Sequence, residues 1–296
     1  MDRVKTSAAA STYSAEVEGG KRFEFGKNWA RFLLGLNDDR IAAAEGSLCR
    51  MLGLTTLTGK TFVDVGSGSG LFSLAARRLG AKVRSFDFDP RSVACTAELR
   101  RRYFPGDQAW TVDEASALDG AYINSLGRFD IVYSWGVLHH TGKMWAALDN
   151  VCRLVGPGGQ LFIAIYNDQG SRSRRWLIAK RLYNRLPGPL KTPWAVLAIL
   201  PTEFKAAVSA LINRRLVQYL HSWVRVDPSR GMSRWRDVID WVGGYPYEYA
   251  APDEIFEFYR ERGLSLSELK CKTAGSGCVE YVFVRTDLPH QPLVTR

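Results

Sequence analysis

Three groups of residues in this 296-residue chain have types and spacings that can do chemistry. The first is Asp64-Val65-Gly66-Ser67-Gly68-Ser69-Gly70, which follows a short β-rich run and opens a helical one. Glycines there permit positive φ and let backbone N–H groups approach a ligand without a Cβ in the way. The start of the following helix favours a polar or anionic group. The spacing is DxGxGxG and not the GxGxxG of a nicotinamide fold, because Leu71 occupies the place of that third glycine. Asp87 ends the next β-rich run, where its carboxylate can accept both hydroxyls of a ribose.

The second group is the loop Ser134-Trp135-Gly136-Val137-Leu138-His139-His140. A histidine there can act as general base near neutral pH, taking a proton from a hydroxyl, amine or thiol. The third is Tyr166-Asn167-Asp168, at the end of another β-rich run on the same edge. The catalytic candidates are therefore His140, Tyr166 and Asn167. Adjacent histidines also suit a metal, but no acid or cysteine lies at a matching spacing, so no metal is expected. The five scattered cysteines contain no CxxC pair and read as reduced thiols.

These groups need a frame that brings strand ends together. Runs at Thr61–Val65, Lys82–Phe88, Gln108–Val112, Phe129–Ser134 and Gly158–Tyr166 read as strands, with helical patterns at 91–103 and Lys143–Leu154 between them. That alternation implies a parallel sheet covered on both faces. Leu264–Lys270 and Cys278–Arg285 flank Ala274-Gly275-Ser276-Gly277 and predict a hairpin after the helix Pro252–Arg262. Lys21–Leu57 is helical by its spacing, and the first 20 residues read as a mobile Ala/Ser/Thr-rich segment. Phe23, Phe25, Asn28 and Trp29, which precede the first core helix, suit a lid or core packing.

Residues Phe62–Leu71, Ser85–Pro90, Asp130–His140 and Gly156–Asn167 resemble the successive motifs of the class I S-adenosylmethionine-dependent methyltransferases. They lie nearest the branch named for ubiquinone-biosynthesis methylases. The resemblance covers roughly residues 25–170 plus the terminal hairpin. It implies a Rossmann-like α/β fold: a mostly parallel seven-stranded sheet with an antiparallel last strand, into which the segment from about 170 to 250 reads as a helical insertion after strand 5. It further implies S-adenosylmethionine as cofactor, with Asp64 near the methionine amino group. Gly66, Ser67, Gly68 and Gly70 would then form the floor, Asp87 hold the ribose and Phe88 flank the adenine. Ser116 and Ala117 would meet the adenine edge, with Ser116 standing where the family has an acid, and Trp135 would lie alongside. A histidine at position 140 is common in the quinone branch. The Asn/Asp-Pro-Pro-Tyr/Phe box of nucleic-acid amino methylases is absent; Ser134-Trp135-Gly136-Val137 stands there.

Four regions follow: 1–57, lid and helices; 58–169, cofactor core; 170–250, a basic helical cap; 251–296, helix and hairpin completing the core. Between Gly170 and Asp240 there are 14 Lys/Arg against 4 Asp/Glu, whereas the rest of the chain is neutral, so this segment carries the net charge of +10. Helices are expected at Arg172–Leu186, Trp194–Leu200, Phe204–Leu220 and Arg234–Trp241, broken by prolines. The basic helix at 171–185, with further clusters at Arg214-Arg215 and Arg225–Arg236, suits phosphate groups of RNA, a nucleotide-linked sugar or an anionic membrane surface, or forms a solvated face. The turn Gly243–Tyr249 can line an acceptor pocket or anchor the cap.

The longest apolar run, Trp194–Leu200, has seven residues and reads as core, so no membrane span is expected. The N-terminus lacks a signal-like apolar stretch, and cytoplasmic residence is the expectation. Composition excludes disordered and collagen-like chains. The function expected is methyl transfer to a small-molecule acceptor. The alternatives are cyclisation of the cofactor to azetidine-2-carboxylate with release of methylthioadenosine, RNA methylation, or a cofactor-binding subunit without turnover.

Overall fold

Each crossover after the first four β-rich runs is long enough to return the chain to the same edge, which parallel pairing requires. The computed structural model describes residues 8–224, 234–271 and 277–286. Its strands are β1 (Thr61–Val65), β2 (Lys82–Asp87), β3 (Trp110–Glu114), β4 (Phe129–Trp135), β5 (Val155–Tyr166), β6 (Leu264–Lys270) and β7 (Cys278–Arg285). They form one seven-stranded sheet in the order β3-β2-β1-β4-β5-β7-β6. The first five pair in parallel. β7 runs antiparallel between β5 and β6, as the short hairpin connection demands.

The helices are α1 (Ala8–Glu18), α2 (Gly26–Leu34), α3 (Asp38–Leu52), α4 (Leu71–Arg78), α5 (Pro90–Tyr103) and α6 (Gly120–Ser125), then α7 (Met144–Arg153) and α8 (Ser171–Arg185). The remainder are α9 (Gly188–Ile212), α10 (Leu216–Val224), α11 (Arg234–Gly243) and α12 (Pro252–Arg260). Alternate residues of each strand face opposite layers. Val63 and Val65 pack with Leu148, Val151 and Tyr259 on one face, and Phe62 packs with Leu48, Leu74 and Leu99 on the other. A third cluster of Tyr183, Ala195, Val238 and Val242 holds the cap helices α8, α9 and α11 together. Each fully buried Leu or Ile contributes about 1.5–3 kcal/mol.

Several elements differ from the sequence expectation. The helical pattern of 21–57 divides into α2 and α3, because Asn37 adopts an extended backbone and its Oδ1 accepts the Arg40 N–H at 3.1 Å. The opening segment, expected to be mobile, contains α1. Its Tyr13 is buried, and the hydroxyl donates to Asp89 Oδ2 at 2.7 Å. The short helix α6 carried too weak a pattern to be read.

The largest difference lies in the cap. Pro193 and Pro201 do not break the chain into short helices; both sit inside α9, which runs 25 residues. A proline removes only its own N–H from the ladder, and packing of Ala195 and the Trp194 Nε1–H bond to Ala179 O hold the helix in place. By length and composition alone α9 is long and apolar enough to cross a membrane, a property the seven-residue run did not reveal because the helix continues through Pro193 and Pro201. The basic residues at 225–233 and the hairpin tip at 272–276 lie outside the described residues, as does the Asn28 side chain.

Candidate active site

The carboxyl ends of β1, β2, β4 and β5 open into one cavity of about 970 Å³, the position where parallel α/β sheets bind ligands. Its floor is the turn from β1 into α4. Gly66 has φ +77°, and a Cβ there would fall 2.3 Å from Val137 Cγ1. Only glycine therefore lets the turn pass under the 134–140 loop. Gly68 donates its N–H to Asp87 Oδ2 at 2.8 Å, while Asp87 Oδ1 accepts the Asp89 N–H at 2.9 Å. Below them Asp64 accepts the Ser73 hydroxyl at 2.5 Å.

The cavity gathers most of the predicted cofactor residues: Asp64, Gly66, Ser67, Gly68, Asp87, Phe88, Ser116, Ala117 and Trp135 all line it. Gly70 does not. It turns at φ +81° against α5, where a Cβ would meet Thr96 Cα at 2.8 Å, so its role is to seat α4 and not to form the floor. Phe88 also packs against the N-terminal segment: the Tyr13 ring meets it edge-on at 5.5 Å, and the Arg22 guanidinium lies 4.9 Å over it. Asp89 accepts both the Tyr13 hydroxyl and the Gly26 N–H, which ties α1 and α2 to the end of β2. No spacing in the sequence pairs Tyr13 with Asp89, so this strap was not legible.

His140 sits where the 134–140 loop, the segment before α2 and the cap meet. Its Nδ1 lies 2.5 Å from Pro246 O, and since a carbonyl only accepts, Nδ1 carries the proton and Nε2 keeps a free lone pair. Arg22 donates to the His140 carbonyl at 3.0 Å, and the Phe25 ring packs at 4.9 Å. Burial pushes the imidazole pKa down to about 3, with the charges of Lys180 and Arg22 adding to the effect. The ring is therefore neutral at every physiological pH and poor at taking a proton outright; it is a fixed hydrogen-bond acceptor. The turn 243–249 is thus an anchor for this loop: Pro246 binds His140, and Glu248 accepts the Met144 N–H at the start of α7.

Tyr166 lies among His139, His140, Trp241 and Tyr247, with ring centroids 3.9, 5.4, 5.7 and 5.2 Å away. It lines the cavity. Asn167 does not line it. Its backbone donates to Gly277 O and bridges Ala250, which places it in the seam between core and cap. His139 is a packing histidine, its Nδ1 accepting the Tyr166 N–H at 3.4 Å. Lys180, grouped in the sequence with a basic face, is instead fully buried. Its Nζ donates to Trp241 O and lies 4.5 and 4.8 Å from the Trp241 and Tyr247 rings. Burial lowers it to about 7. The far wall comes from the cap: Trp176, Ile199, Val238 and Trp241 among Arg172, Glu203, Arg234 and Asp240.

Two buried carboxylates at one end of a cavity call for a cationic or hydroxyl-bearing ligand. Desolvation raises Asp64 to about 7 and Asp87 to about 6. Both would ionise more readily beside donors, and aromatic faces of Phe25, Trp29 and Phe72 flank the same space. An ammonium, a sulfonium and a ribose diol fit those groups, so the residues suit S-adenosylmethionine. The linkage has a definite sign. Binding a cation to Asp64 favours its ionised form, so affinity is greatest above pH 7. Below pH 7 it is expected to fall, by about tenfold per unit while one carboxylate titrates. Calorimetric titration with S-adenosylmethionine between pH 5 and 8 checks this, and a flat profile would exclude the assignment of Asp64.

Comparison with known proteins agrees with this geometry. Residues 37–193 match the family described as "Methyltransferase domain". A ubiquinone biosynthesis O-methyltransferase from Methylobacterium sp. (strain 4-46) is 32% identical over 143 residues, which are 46% of this chain and 55% of the relative. A ribosomal protein L11 methyltransferase from Bacillus cytotoxicus is 42% identical over 134 residues, 40% of this chain and 43% of that protein. The chain thus spans about half the length of the curated relatives it matches. Among solved structures, magnesium protoporphyrin IX methyltransferase from Synechocystis PCC 6803 with bound SAH superposes with a TM-score of 0.51 at 12% identity, covering 95% of this chain and 96% of that one. The sheet order, the glycine turn and the family match together establish that the chain belongs to the class I S-adenosylmethionine-dependent methyltransferase family.

Proposed function

We propose that the protein transfers a methyl group from S-adenosylmethionine to a small-molecule acceptor bound beneath the cap. The observation that carries this reading is the single cavity running from the Asp64 and Asp87 carboxylates, past His140 and Tyr166, to the wall formed by α8, α9 and α11. Bound S-adenosylmethionine supplies an electrophilic methyl on a sulfonium. Asp87 holds the ribose hydroxyls, Asp64 faces the methionine amino group, and Ser116, Ala117 and Phe88 flank the base.

His140 Nε2 accepts a hydrogen bond from the acceptor's hydroxyl or amine and aims its lone pair, while Tyr166 fixes the imidazole by packing on it. In-line displacement breaks the methyl–sulfur bond as the acceptor–methyl bond forms, leaves S-adenosylhomocysteine and a proton that passes to solvent with the product, and depends chiefly on such alignment. The lid of α1 and α2, strapped down through Tyr13 and Asp89, keeps water from the reacting centre. The cap wall of Trp176, Ile199, Val238 and Trp241 beside the cofactor residues favours a small acceptor. One relative above is named for ubiquinone biosynthesis and the other for a ribosomal protein, but both align with less than half of this chain.

Mass spectrometry of the protein with S-adenosylmethionine, first alone and then with candidate acceptors, tests the reading. The cofactor is expected to stay intact alone and to yield S-adenosylhomocysteine with an acceptor. Methylthioadenosine accumulating without acceptor would replace methyl transfer by cyclisation.

A further inference from the structure

The helix α9 is apolar on both sides, but only one side is covered. Ala195 and Ile199 face the cap interior, and Ile199, Thr202 and Glu203 reach the cavity. On the opposite side Leu197, Leu200, Phe204, Val208 and Leu211 recur at three- and four-residue intervals. All are exposed, Phe204 at 67% and Leu211 at 61%. The start of α10 continues the stripe with Val217 and Leu220. Solvated helices ordinarily turn a polar face outward, and contiguous apolar surface of this kind marks an interaction site.

The charges around the stripe select the partner. Residues 171–224 contain a single acid, Glu203, and it points inward, paired with Arg234 at 2.6 Å. Lys205 on α9 and Arg214 and Arg215 in the turn between α9 and α10 are exposed, as are Arg174, Arg175 and Arg181 on the neighbouring α8. An apolar stripe bordered by cations alone complements an anionic lipid surface, into which the side chains insert while the cations meet headgroups. A second copy of the chain would set these cations against their like. The helix cannot span the bilayer while its inner side lines the cavity, so it lies in the interfacial plane.

We infer that the outer face of α9 and α10 docks this protein onto an anionic bilayer. The reaction cavity then sits one helix away from the lipid. This inference rests on the proposed methyl transfer only in what it adds to that reading: the acceptor would be an amphiphile drawn from the membrane.

Co-sedimentation with vesicles tests the docking without any turnover, so its failure leaves the transfer reading standing. Vesicles of equal phosphatidylglycerol and phosphatidylcholine should bind the full-length protein at least about tenfold more strongly than phosphatidylcholine alone. Leu200→Ser with Phe204→Ser should lower partitioning by about tenfold or more. Arg214→Glu with Arg215→Glu should lower it comparably and remove part of its salt dependence. All variants should bind S-adenosylhomocysteine as the parent does, which separates docking from folding. Absence of vesicle binding, or binding untouched by the Leu200 and Phe204 substitutions, would overturn the proposal. So would a dimer in sedimentation that those substitutions dissociate, since a second copy would then cover the face.

Discussion

Asp87→Asn is expected to weaken S-adenosylhomocysteine binding by about 100- to 10,000-fold, measured by titration calorimetry. Two hydrogen bonds from ribose hydroxyls to a carboxylate are worth about 1.5–3 kcal/mol each, and 1.4 kcal/mol is a factor of ten in affinity. Asparagine removes the charge and turns one acceptor into a donor. In the protein both carboxylate oxygens also accept backbone N–H groups, from Gly68 and from Asp89. The amide would therefore face one of those donors with another donor and loosen the glycine turn. A loss of less than tenfold would show that the ribose is held elsewhere.

The second large effect is expected at His140. His140→Phe keeps a ring against Phe25 and Tyr166 but removes both nitrogens. Turnover with any acceptor the parent enzyme methylates is expected to fall about 100-fold, the lower range for losing a positioned acid–base or aligning group. Cofactor affinity should change by less than about threefold, because the ribose and amino-group contacts lie on other residues. The pH profile of the parent should show no inflection from this histidine near its ordinary value, because burial holds it neutral far below. If cofactor affinity fell in step with turnover, His140 would be a clamp between loop and cap and nothing more. The Pro246 carbonyl loses its partner in this variant, so thermal unfolding must accompany the kinetics.

The linear chain made the cofactor half legible because local rules govern it. A strand, a glycine turn with positive φ, a helix start and an acid at the next strand's end are all read within about 30 residues. Thr61–Val65 and Cys278–Arg285 fall where the strands are found, and Asp64, Gly66 and Asp87 line the cavity as their motif predicts. Gly70 shows the limit of that rule: glycine at a motif position can answer to a neighbouring helix instead of a ligand.

The cap was not legible, since its contacts join residues far apart in sequence. Nothing in Lys180 itself distinguishes a buried lysine between Trp241 and Tyr247 from its exposed neighbours on α8. Nor does Pro201 announce that the helix continues through it; packing against the cap interior decides that. The protonation of His140 is likewise tertiary, set by burial and by a carbonyl 106 residues away. Sequence alone determined the family, the sheet and the glycine turn that floors the cavity, because short-range geometry fixes them. Only the folded structure decided which histidine nitrogen is free, how α1 and α2 are strapped to the sheet and which face of α9 is left bare, because those depend on what long-range packing brings together.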